Sequence, residues 1–348
     1  MDKLPAPPSG KRGWPWTAEC DPAIYDTALP WPKISIVTPS YNQGEFLEES
    51  IRSVLLQNYP NLEYIVMDGG SSDRSVEILK KYDRWLDYWV SEKDEGQSHA
   101  INKGLKRASG DFFNWINSDD YLTRHSLFEI AKKIMAHPKC RVLTSPINFV
   151  DETGRFLRIN PPTSLKALLW DTLQAKGLNQ PGMYFKLSHI KALNGVNERF
   201  HYSMDLDLWK RYLLTFGRAH IYQIDHTTVN FRFQDNSKSV GEGWGENSAF
   251  ENENKRAFLA YLGELKNERR YRFIQRELHL AYDPIPVWSQ RKALSKDRLQ
   301  RWVEYIVYHL FRESVRKGKF RKAAISARHL GFSFFLKKLV NRSYFQSE

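Results

Sequence analysis

The sequence is poor in cysteine and has no long apolar run. Its two cysteines, Cys20 and Cys140, lie far apart in a chain of 348 residues. They provide neither a disulfide framework nor the paired spacing of a metal site, which indicates a reducing, cytosolic environment. No apolar stretch approaches the roughly 18 residues that a membrane-spanning helix needs, so we expect no transmembrane segment. The polar, proline-rich N-terminus also predicts the absence of a signal peptide.

Most of the chain carries no net charge. Residues 1–250 hold 30 basic and 30 acidic side chains, whereas residues 251–348 hold 22 basic and 10 acidic ones, which accounts for the net charge of +12. Apolar residues make up 41% and aromatic residues 14% of the sequence, enough for a sizeable core and against wholesale disorder. An excess of basic residues does not by itself indicate an element that reads a nucleic-acid groove. Nucleic-acid binding is therefore not expected.

Strand and helix signals alternate over the first third of the chain. β-Branched and aromatic runs predict strands at residues 33–41, 62–73, 87–94 and 111–120. Amphipathic spacing predicts helices between them, at residues 44–58, 74–82 and 96–108. Because strand–helix–strand units cross over right-handedly, these elements predict an α/β fold with a mostly parallel sheet flanked by helices.

The sequence divides into three expected regions. Residues 1–32 form a proline-rich, extended N-terminal arm. Residues 33–240 form a single α/β domain, with its halves at 33–120 and 121–240. Residues 250–348 form a basic, helical C-terminal region, in which 297–316 carries a clear apolar stripe and 320–340 reads as one or two further helices.

The stretch "NWINSDDY" at residues 114–121 places Asp119 and Asp120 behind a predicted strand. Taken alone, the pair is typical of a helix start with solvated acids. The strand ends at Pro39–Tyr41, Asp68–Ser72 and Asn117–Asp120 should, however, share one edge of the sheet, where ligands bind in such folds. Carboxylates gathered there would repel one another unless a hard cation such as Mg²⁺ or Mn²⁺ compensated them, which favours a metal site.

Several ordered stretches match a known family. They are "SIVTPSYNQGEFLEESIRSVLLQNYPNLEYIVMDGGSSDRSVEIL", "EKDEGQSHAINKGLKRASGDFFNWINSDDYL", "NQPGMYF" and "FHYSMDLDLWKR". Because these motifs occur in order and at family-like spacing, residues 33–240 resemble the family 2 inverting glycosyltransferases. The resemblance implies the GT-A fold, with 33–120 as the nucleotide-binding half and 121–240 as the acceptor half.

The resemblance also implies roles for individual residues. "NSDD" matches the Asp-x-Asp motif, so Asp119 would ligate the cation that bridges the donor diphosphate, and Asp120 would lie beside the donor sugar. "MDLDLW" matches the motif whose aspartate is the catalytic base, here Asp205. Further contacts to the nucleotide-sugar are expected from Pro39, Tyr41, Asp68, Asn102 and Asn117, with Asn102 reaching the crevice only if the third helix starts there.

Two positions depart from the family pattern. Asn117 stands where the first acid of Asp-x-Asp is usual, which keeps a hydrogen-bonding group but removes one charge. Gln234 stands where relatives often have histidine. If that histidine is a metal ligand in relatives, this chain is expected to hold its cation more weakly.

Simpler interpretations of the same residues stay open. Asp205 could be an ordinary acid in the first turn of a helix, where the macrodipole favours it. Asp68 could shape the "DGGSSD" turn. His99 is expected to be a surface or satisfied histidine, and Asp207 a structural residue. No Ser/His/Asp or Cys/His arrangement for covalent catalysis stands out.

The function that the resemblance implies is that of a metal-dependent hexosyltransferase. It would move a sugar from a nucleotide-diphospho-sugar, expected to be a UDP-sugar, to a saccharide or lipid-linked acceptor in surface polysaccharide synthesis. The expected location is the cytoplasm, with a peripheral contact of residues 297–340 with the inner, anionic face of the plasma membrane. The alternatives are helices that only pack within the protein, a non-catalytic nucleotide-sugar-binding protein, and a membrane-surface scaffold.

Overall fold

The computed structural model describes residues 4–174, 177–234, 248–277 and 295–330. The chain forms two compact units. The first unit comprises Met1–Ser164, Gly177–Asp205 and His220–Gly243. The second unit comprises Leu165–Lys176, Leu206–Ala219 and Trp244–Glu348.

A seven-stranded sheet organises the first unit. Its strands are β1 (Ile34–Ser40), β2 (Leu62–Asp68), β3 (Tyr88–Ser91), β4 (Phe112–Trp115), β6 (Val142–Thr144), β9 (Met183–Lys186) and β10 (Ile221–Gln223). They lie in the order β10-β6-β9-β4-β1-β2-β3. Strand β9 is antiparallel to both of its neighbours, and every other neighbouring pair is parallel. The predicted α/β fold with a mostly parallel sheet is confirmed.

Helices cover this sheet as the alternating pattern predicts. They are α1 (Leu47–Leu55), α2 (Ser75–Tyr82), α3 (Gln97–Arg107), α4 (Ser126–Ala136) and α6 (Leu187–Ala192), with 3₁₀ turns at Pro22–Ile24, Asp83–Trp85 and Gln180–Gly182. All seven residues of β1 are buried, as expected for a strand covered on both faces. Helix α3 packs so closely on β1 that a Cβ atom on Gly104 would lie 2.5 Å from Val37 Cγ1.

A second, four-stranded sheet follows the acidic turn directly. Its strands are β5 (Tyr121–Leu122), β7 (Ile147–Val150), β8 (Phe156–Asn160) and β11 (Val229–Arg232). They lie in the order β5-β11-β7-β8, with β11 antiparallel to β5. This pairing brings the end of β11 beside residues 119–120, although more than a hundred residues separate them in sequence.

The observed elements exclude the helix-start interpretation of the acidic pair. The helix after "NSDD" is α4, which begins at Ser126. Strand β5 lies between the two, at Tyr121–Leu122. Asp119 and Asp120 therefore belong to a turn between two strands and cap no helix.

The N-terminal arm packs against helix α1. Arg52 is buried, and its guanidinium donates to the carbonyl oxygens of Pro5, Pro15 and Trp16 at 2.6–3.1 Å. The indole nitrogen of Trp14 donates to the carbonyl oxygen of Leu122 at 2.8 Å. These bonds fix the N-terminal arm on the first unit. The arm corresponds to the extended segment predicted at residues 1–32.

The second unit is helical within the described residues. Its helices are α5 (Leu169–Gln174), most of α7 (Met204–Phe216), α8 (Ala249–Gly263), α9 (Glu268–Glu277), α10 (Lys296–Arg316) and α11 (Phe320–Leu330). A serine caps α8 and another caps α10: Ser248 Oγ accepts from Glu251 N, and Ser295 Oγ accepts from Arg298 N. The predicted basic, helical C-terminal region is therefore present, while its predicted part at 331–348 lies outside the described residues.

An apolar stripe and a buried ion pair hold the second unit together. Leu299, Trp302 and Val303 of the predicted stripe on α10 are buried. Asp207 and Arg211 of α7 form an ion pair at 2.7 Å in which both side chains are almost fully buried, and Tyr261 of α8 donates its hydroxyl to Asp207 at 2.5 Å. Asp207 thus has the structural role that was expected. Among the described residues, no helix has the length and apolar character needed to cross a membrane.

Candidate functional site

The carboxyl ends of β1, β2 and β4 lie side by side at one edge of the large sheet. Ser40 pairs in register with Asp68, and Val37 with Trp115. Tyr41, just beyond β1, is 63% exposed at this edge. Pro39 lies within β1, opposite Met67. The predicted nucleotide-binding residues Pro39, Tyr41 and Asp68 therefore do share one edge of the sheet.

Asp68 is buried and its carboxylate is occupied by its own turn. It accepts hydrogen bonds from Gly70 N at 3.2 Å, from Ser71 N at 2.9 Å and from Ser71 Oγ at 2.5 Å. The hydroxyl of Ser91, at the end of β3, donates to it at 2.6 Å. These contacts support the interpretation of Asp68 as a turn-shaping residue, and its contact with a nucleotide stays a prediction.

The acidic turn is held by an amide network. Asn117 Oδ1 accepts from Gln97 Nε2 at 2.8 Å, and its carbonyl oxygen accepts from Asp120 N at 3.1 Å. Asp119 is half-buried, and its Oδ2 accepts from the side-chain amide of Gln234. The two departures from the family pattern, Asn117 and Gln234, therefore both lie at the acidic turn.

Asp120 carries an unsatisfied oxygen in a buried position. Its side chain is 1% exposed. Its Oδ1 accepts from Arg232 N at 2.9 Å, whereas its Oδ2 has no hydrogen-bond partner among the described residues. A buried polar atom without a partner costs about 1–3 kcal/mol, so this atom calls for a ligand or a proton.

Burial raises the pKa of both acids. Burial raises the pKa of Asp119 above its ordinary value. Burial and the neighbouring Asp119 charge raise the pKa of Asp120 well above its ordinary value. Neither carboxylate is favoured as a free anion here, and a bound cation would stabilise both of them ionised.

The donor set at the turn suits a hard divalent cation. Two carboxylates and the amide oxygens of Asn117 and Gln234 are the oxygen ligands that Mg²⁺ and Mn²⁺ take, with water or substrate phosphate completing the shell. The described residues contain no group of three or more His, Cys, Asp and Glu side chains that could hold a metal alone. The unpartnered Asp120 Oδ2 fits a shared site of this kind.

Arg232 braces the acidic turn, and the sequence analysis did not identify it. Only 2% exposed, it donates from its backbone N to Asp120, as given above, and from Nε to the Asp119 carbonyl oxygen at 3.0 Å. Its Nη1 donates to the Glu152 carbonyl oxygen at 2.6 Å, and its Nη2 pairs with the Glu49 carboxylate at 2.7 Å. The guanidinium is thus committed to neighbours other than the two site carboxylates.

A signal for Arg232 exists in the sequence. The alternation in "VNFRFQ" places Asn230, Arg232 and Gln234 on one face of a strand, and all three are buried. The guanidinium of Arg232 also lies 4.8 Å from the Phe46 ring centre and 5.2 Å from the Tyr121 ring centre. In the sequence, Gln234 stood out only as a departure from the family pattern. The alternation of side chains along a strand places it on the same face as Arg232.

Asp94 is another acid at this edge that was not predicted. It follows β3 and accepts from Gly96 N at 2.8 Å. Its Oδ2 lies 3.0 Å from where a Cβ atom on Gly69 would be, so glycine at 69 leaves room for the carboxylate beside the end of β2. The edge therefore carries four aspartates, at positions 68, 94, 119 and 120.

Asn102 is buried on helix α3 and ties that helix to the loop before α7. Its Nδ2 donates to the Val196 carbonyl oxygen at 2.8 Å and to Glu198 at 2.7 Å, while its Oδ1 accepts from Val196 N at 3.0 Å. Helix α3 does start at Gln97, close to the predicted position. A contact of Asn102 with a nucleotide stays a prediction, and its described bonds are structural.

Asp205 lies in the first turn of α7. It is the second residue of that helix and is half-buried. The segment before it is anchored to α3, because Ser98 Oγ donates to the Phe200 carbonyl oxygen at 3.2 Å. Both interpretations of Asp205, catalytic base and first-turn helix acid, are compatible with this position.

His99 forms a local hydrogen bond at the start of α3, since its Nδ1 accepts from Glu95 N at 3.1 Å.

A model of a known protein family matches part of the chain. Residues 35–195 match the model described as "Glycosyl transferase family 2". The matched range contains both strand-end turns and the acidic pair, and it ends before Asp205.

Curated relatives match parts of the chain. An uncharacterized glycosyltransferase of Rickettsia typhi is 27% identical over 221 residues, which cover 57% of this chain and 68% of that protein. The putative teichuronic acid biosynthesis glycosyltransferase TuaG of Bacillus subtilis is 37% identical over 139 residues, covering 38% of this chain and 55% of TuaG. Glycosyltransferase GlyA of Streptococcus pneumoniae is 29% identical over 127 residues, which are 36% of this chain and 18% of GlyA.

Solved structures share the fold. TarS residues 1–349 of S. aureus, crystallised with UDP-GlcNAc, superpose with a TM-score of 0.54 at 18% identity, covering 84% of this chain and 90% of that one. The same TarS segment with UDP gives a TM-score of 0.52 at 18% identity and covers 91% and 92% of the two chains. At such identities the similarity concerns the fold alone.

Proposed function

We propose that this chain, whose residues 35–195 match the family model of the family 2 glycosyltransferases, transfers a sugar from a UDP-sugar with inversion at the anomeric carbon. The reaction would depend on a divalent cation, Mn²⁺ or Mg²⁺. The acceptor would be a saccharide or a lipid-linked saccharide in the synthesis of a surface polysaccharide. The protein would act in the cytoplasm, at the inner face of the plasma membrane.

The observation that carries this proposal is the buried acidic turn at the edge of the sheet. Asp119 and Asp120 are adjacent carboxylates with raised pKa values, and one oxygen of Asp120 lacks a hydrogen-bond partner. An acidic site of this kind, beside an exposed tyrosine and a rigid Gly/Ser turn, suits the diphosphate and nucleoside of a donor substrate. UDP is the expected nucleotide, because the TarS structures that share the fold contain UDP-GlcNAc and UDP.

Asp119 would hold the cation, and Asp120 would lie beside the donor sugar. A bound divalent cation neutralises the negative charge that develops on a leaving diphosphate. The chain's own contribution is to place the carboxylates: Arg232 donates to the carbonyl oxygen of Asp119 and so fixes the backbone of the turn. Pro39 and Tyr41 would lie against the nucleoside.

Asp205 would act as the general base. Its carboxylate would take the proton of the acceptor hydroxyl while that oxygen bonds to the anomeric carbon and the bond to the diphosphate oxygen breaks. The electron pair of the broken bond leaves on the diphosphate, so no covalent sugar–enzyme intermediate forms. Attack from the side opposite the leaving group inverts the anomeric centre.

One relative supports the proposed acceptor class. TuaG is named as a putative teichuronic acid biosynthesis glycosyltransferase. The basic C-terminal helices offer a second support, because Lys and Arg near a helix surface are attracted to anionic lipids. A peripheral membrane contact through residues 297–340 is part of this proposal, of which 297–330 lie within the described residues.

A panel of nucleotide-sugars tests the proposed function. The purified chain would be incubated with UDP-, GDP- and dTDP-sugars, with Mn²⁺ or with EDTA, and the release of nucleoside diphosphate measured. We expect release from at least one UDP-sugar with Mn²⁺ and none above background with EDTA. Turnover that is equal in EDTA would contradict the cation dependence.

A non-catalytic nucleotide-sugar-binding protein is the second candidate. Gln234 favours it, because its amide occupies an oxygen of the predicted metal ligand Asp119. Calorimetric binding of UDP with no release of nucleoside diphosphate from any donor in the panel would support this candidate. Measurable turnover excludes it.

A further inference from the structure

A basic groove lies between helices α9 and α11 of the second unit. Its volume is about 550 Å³. No residue of the candidate active site lines it, and the sequence analysis assigned α9 no role. The lining residues are Glu268, Arg269, Arg272, Phe273, Arg276 and His329.

Three exposed arginines share one face of α9. Arg269, Arg272 and Arg276 are separated by three and four residues, so they lie on one side of the helix and span about 10 Å along it. Like charges at these spacings destabilise a helix, by a few tenths of a kcal/mol for each pair. Their convergence on one groove is therefore unfavourable without an anion.

The acids of α9 do not neutralise this face. Glu268 pairs with Arg272 at 2.7 Å, but both side chains are more than 70% exposed, and such a pair contributes little. Glu277 is shared between Arg276 at 3.5 Å and Lys322 at 3.3 Å. For Arg269, no ion pair is found in the described part of the chain. The groove keeps an excess of positive charge.

The floor of the groove is rigid and aromatic. Phe273 is buried, and its ring stacks on the His329 ring with 4.0 Å between the ring centres. Arg270 Nη2 donates to the His329 carbonyl oxygen at 2.8 Å, which fixes α9 against α11. Burial and the nearby arginines lower the pKa of His329, so its ring is neutral at pH 7. The positive charge therefore comes from the arginines alone.

We propose that this groove binds a phosphate group, with Arg269, Arg272 and Arg276 as its ligands. The planar guanidinium group forms paired hydrogen bonds to phosphate oxygens, and a phosphate offers enough oxygens for several arginines, whereas a carboxylate offers two. The volume of about 550 Å³ leaves room for a larger molecule that carries the phosphate. That molecule is either a soluble phosphate ester or a lipid with a phosphate headgroup. The inference does not rest on the proposed transfer reaction.

Binding of inorganic pyrophosphate to the full chain tests the site. Calorimetry would be performed in EDTA, which removes cation-mediated binding at the acidic turn. The groove variant carries Arg269→Gln, Arg272→Gln and Arg276→Gln, and the control carries Arg312→Gln, Arg316→Gln and Lys319→Gln, three exposed cations of the same unit outside the groove. We expect the groove variant to bind at least about tenfold more weakly than the wild type and the control to stay within about twofold.

Vesicles distinguish the two sources of phosphate. Phosphatidylcholine vesicles with phosphatidic acid would be sedimented with each protein, with and without pyrophosphate. If sedimentation with the vesicles requires the groove arginines and pyrophosphate competes with it, the site binds a lipid headgroup. If the protein binds pyrophosphate but does not sediment with the vesicles, the site binds a soluble phosphate ester. Equal pyrophosphate affinity of the groove variant and the wild type would overturn the proposal, as would equal losses in the groove and control variants. If circular dichroism shows that the triple variant is unfolded, the single variant Arg272→Gln replaces it, and an unchanged affinity in that variant has the same meaning.

Discussion

Gln234 is expected to influence which cation the acidic turn binds. Its amide donates to the Asp119 carboxylate, so an incoming metal ion must compete with that bond or use the amide oxygen as a weak neutral ligand. Histidine at this position would provide a ring nitrogen, which favours transition metals over Mg²⁺. We therefore expect Gln234→His to increase the preference for Mn²⁺ over Mg²⁺ by about tenfold.

Calorimetric titration of both cations in the presence of UDP measures this preference. The control is Gln223→His on the exposed part of β10, which should leave it unchanged. A decrease in the Mn²⁺ preference of Gln234→His would contradict the position of Gln234 at the cation site.

Arg232 connects the acidic turn to helix α1 and to strand β7. Replacing it with alanine removes the donor to two carbonyl oxygens and to the Glu49 carboxylate, whose side chain is 16% exposed. Breaking a buried ion pair in this way costs about 3–5 kcal/mol. We expect Arg232→Ala to lower the free energy of unfolding by that amount in urea denaturation.

Arg158→Ala is the matched control for this change. Arg158 is exposed and contacts the Phe149 ring at 4.6 Å, so its removal should cost less than about 1 kcal/mol. Similar losses in the two variants would show that Arg232 does not brace the turn.

Asp120 should make the stability of the cation-free protein depend on pH. Its pKa in the folded chain is raised well above the unfolded value, which is close to 4. Its contribution to stability is therefore complete below pH 4 and is lost as the pH rises through the folded pKa. Asp120→Asn should raise the melting temperature at pH 8 in EDTA and leave it nearly unchanged at pH 4.

Thermal unfolding monitored by circular dichroism at the two pH values checks this expectation. Asp225→Asn is the control, because Asp225 is exposed. A melting temperature of Asp120→Asn below that of the wild type at pH 8 would mean that the ionised carboxylate is stabilising after all.

The site residues that lie within a recognisable sequence motif could be predicted. "NSDD" follows a strand and predicts the acidic turn directly. Arg232 was not predictable in the same way, because its contacts with the turn join residues more than a hundred positions apart. Asp68 shows the opposite limit. Its place at the edge of the sheet was predicted correctly, but the four hydrogen bonds that its carboxylate accepts are not evident from the sequence.

At the scale of the elements, helix α3 makes a very close contact with β1. A Cβ atom on Gly104 would lie 2.5 Å and 2.8 Å from the two methyl groups of Val37. Alanine gains about 1 kcal/mol of helix propensity over glycine, but overpacking in a core costs about 1–3 kcal/mol. We expect Gly104→Ala to lower the free energy of unfolding.

Gly263→Ala provides the comparison in urea denaturation. Gly263 ends helix α8, and a Cβ atom there would have no neighbour within 4 Å, so alanine should be neutral or stabilising. A stabilised Gly104→Ala variant would mean that α3 can move away from β1 without cost.

The order of the strands was harder to predict than their existence. The alternating first half predicts β1 to β4 and their parallel direction, but not that β4 pairs with β1 instead of with β3. Strand β9 enters the sheet between β4 and β6 in antiparallel direction, and β5 has only two residues. Such pairings depend on contacts far apart in sequence, which local patterns do not encode.

At the scale of the whole molecule, charge and chemistry are separated along the chain. The acidic turn and the strand ends beside it belong to the first unit, whereas the excess of basic residues belongs to the C-terminal region. The sequence predicted this separation from charge counts alone. It could not predict that three arginines of α9 converge on one groove, since that requires the packing of α9 against α11.

The turnover of a UDP-sugar by three forms of the protein tests the central claim most directly. Release of UDP in the presence of Mn²⁺ would be compared for the wild type, Asp119→Ala and Asp205→Asn, with the exposed Asp225→Asn as control. A general base contributes about 10²–10⁴-fold to a rate, so we expect both site variants to lose at least about a hundredfold and the control to keep full activity. Undiminished turnover in Asp205→Asn would contradict its role as the base, and undiminished turnover in both variants would contradict the account as a whole.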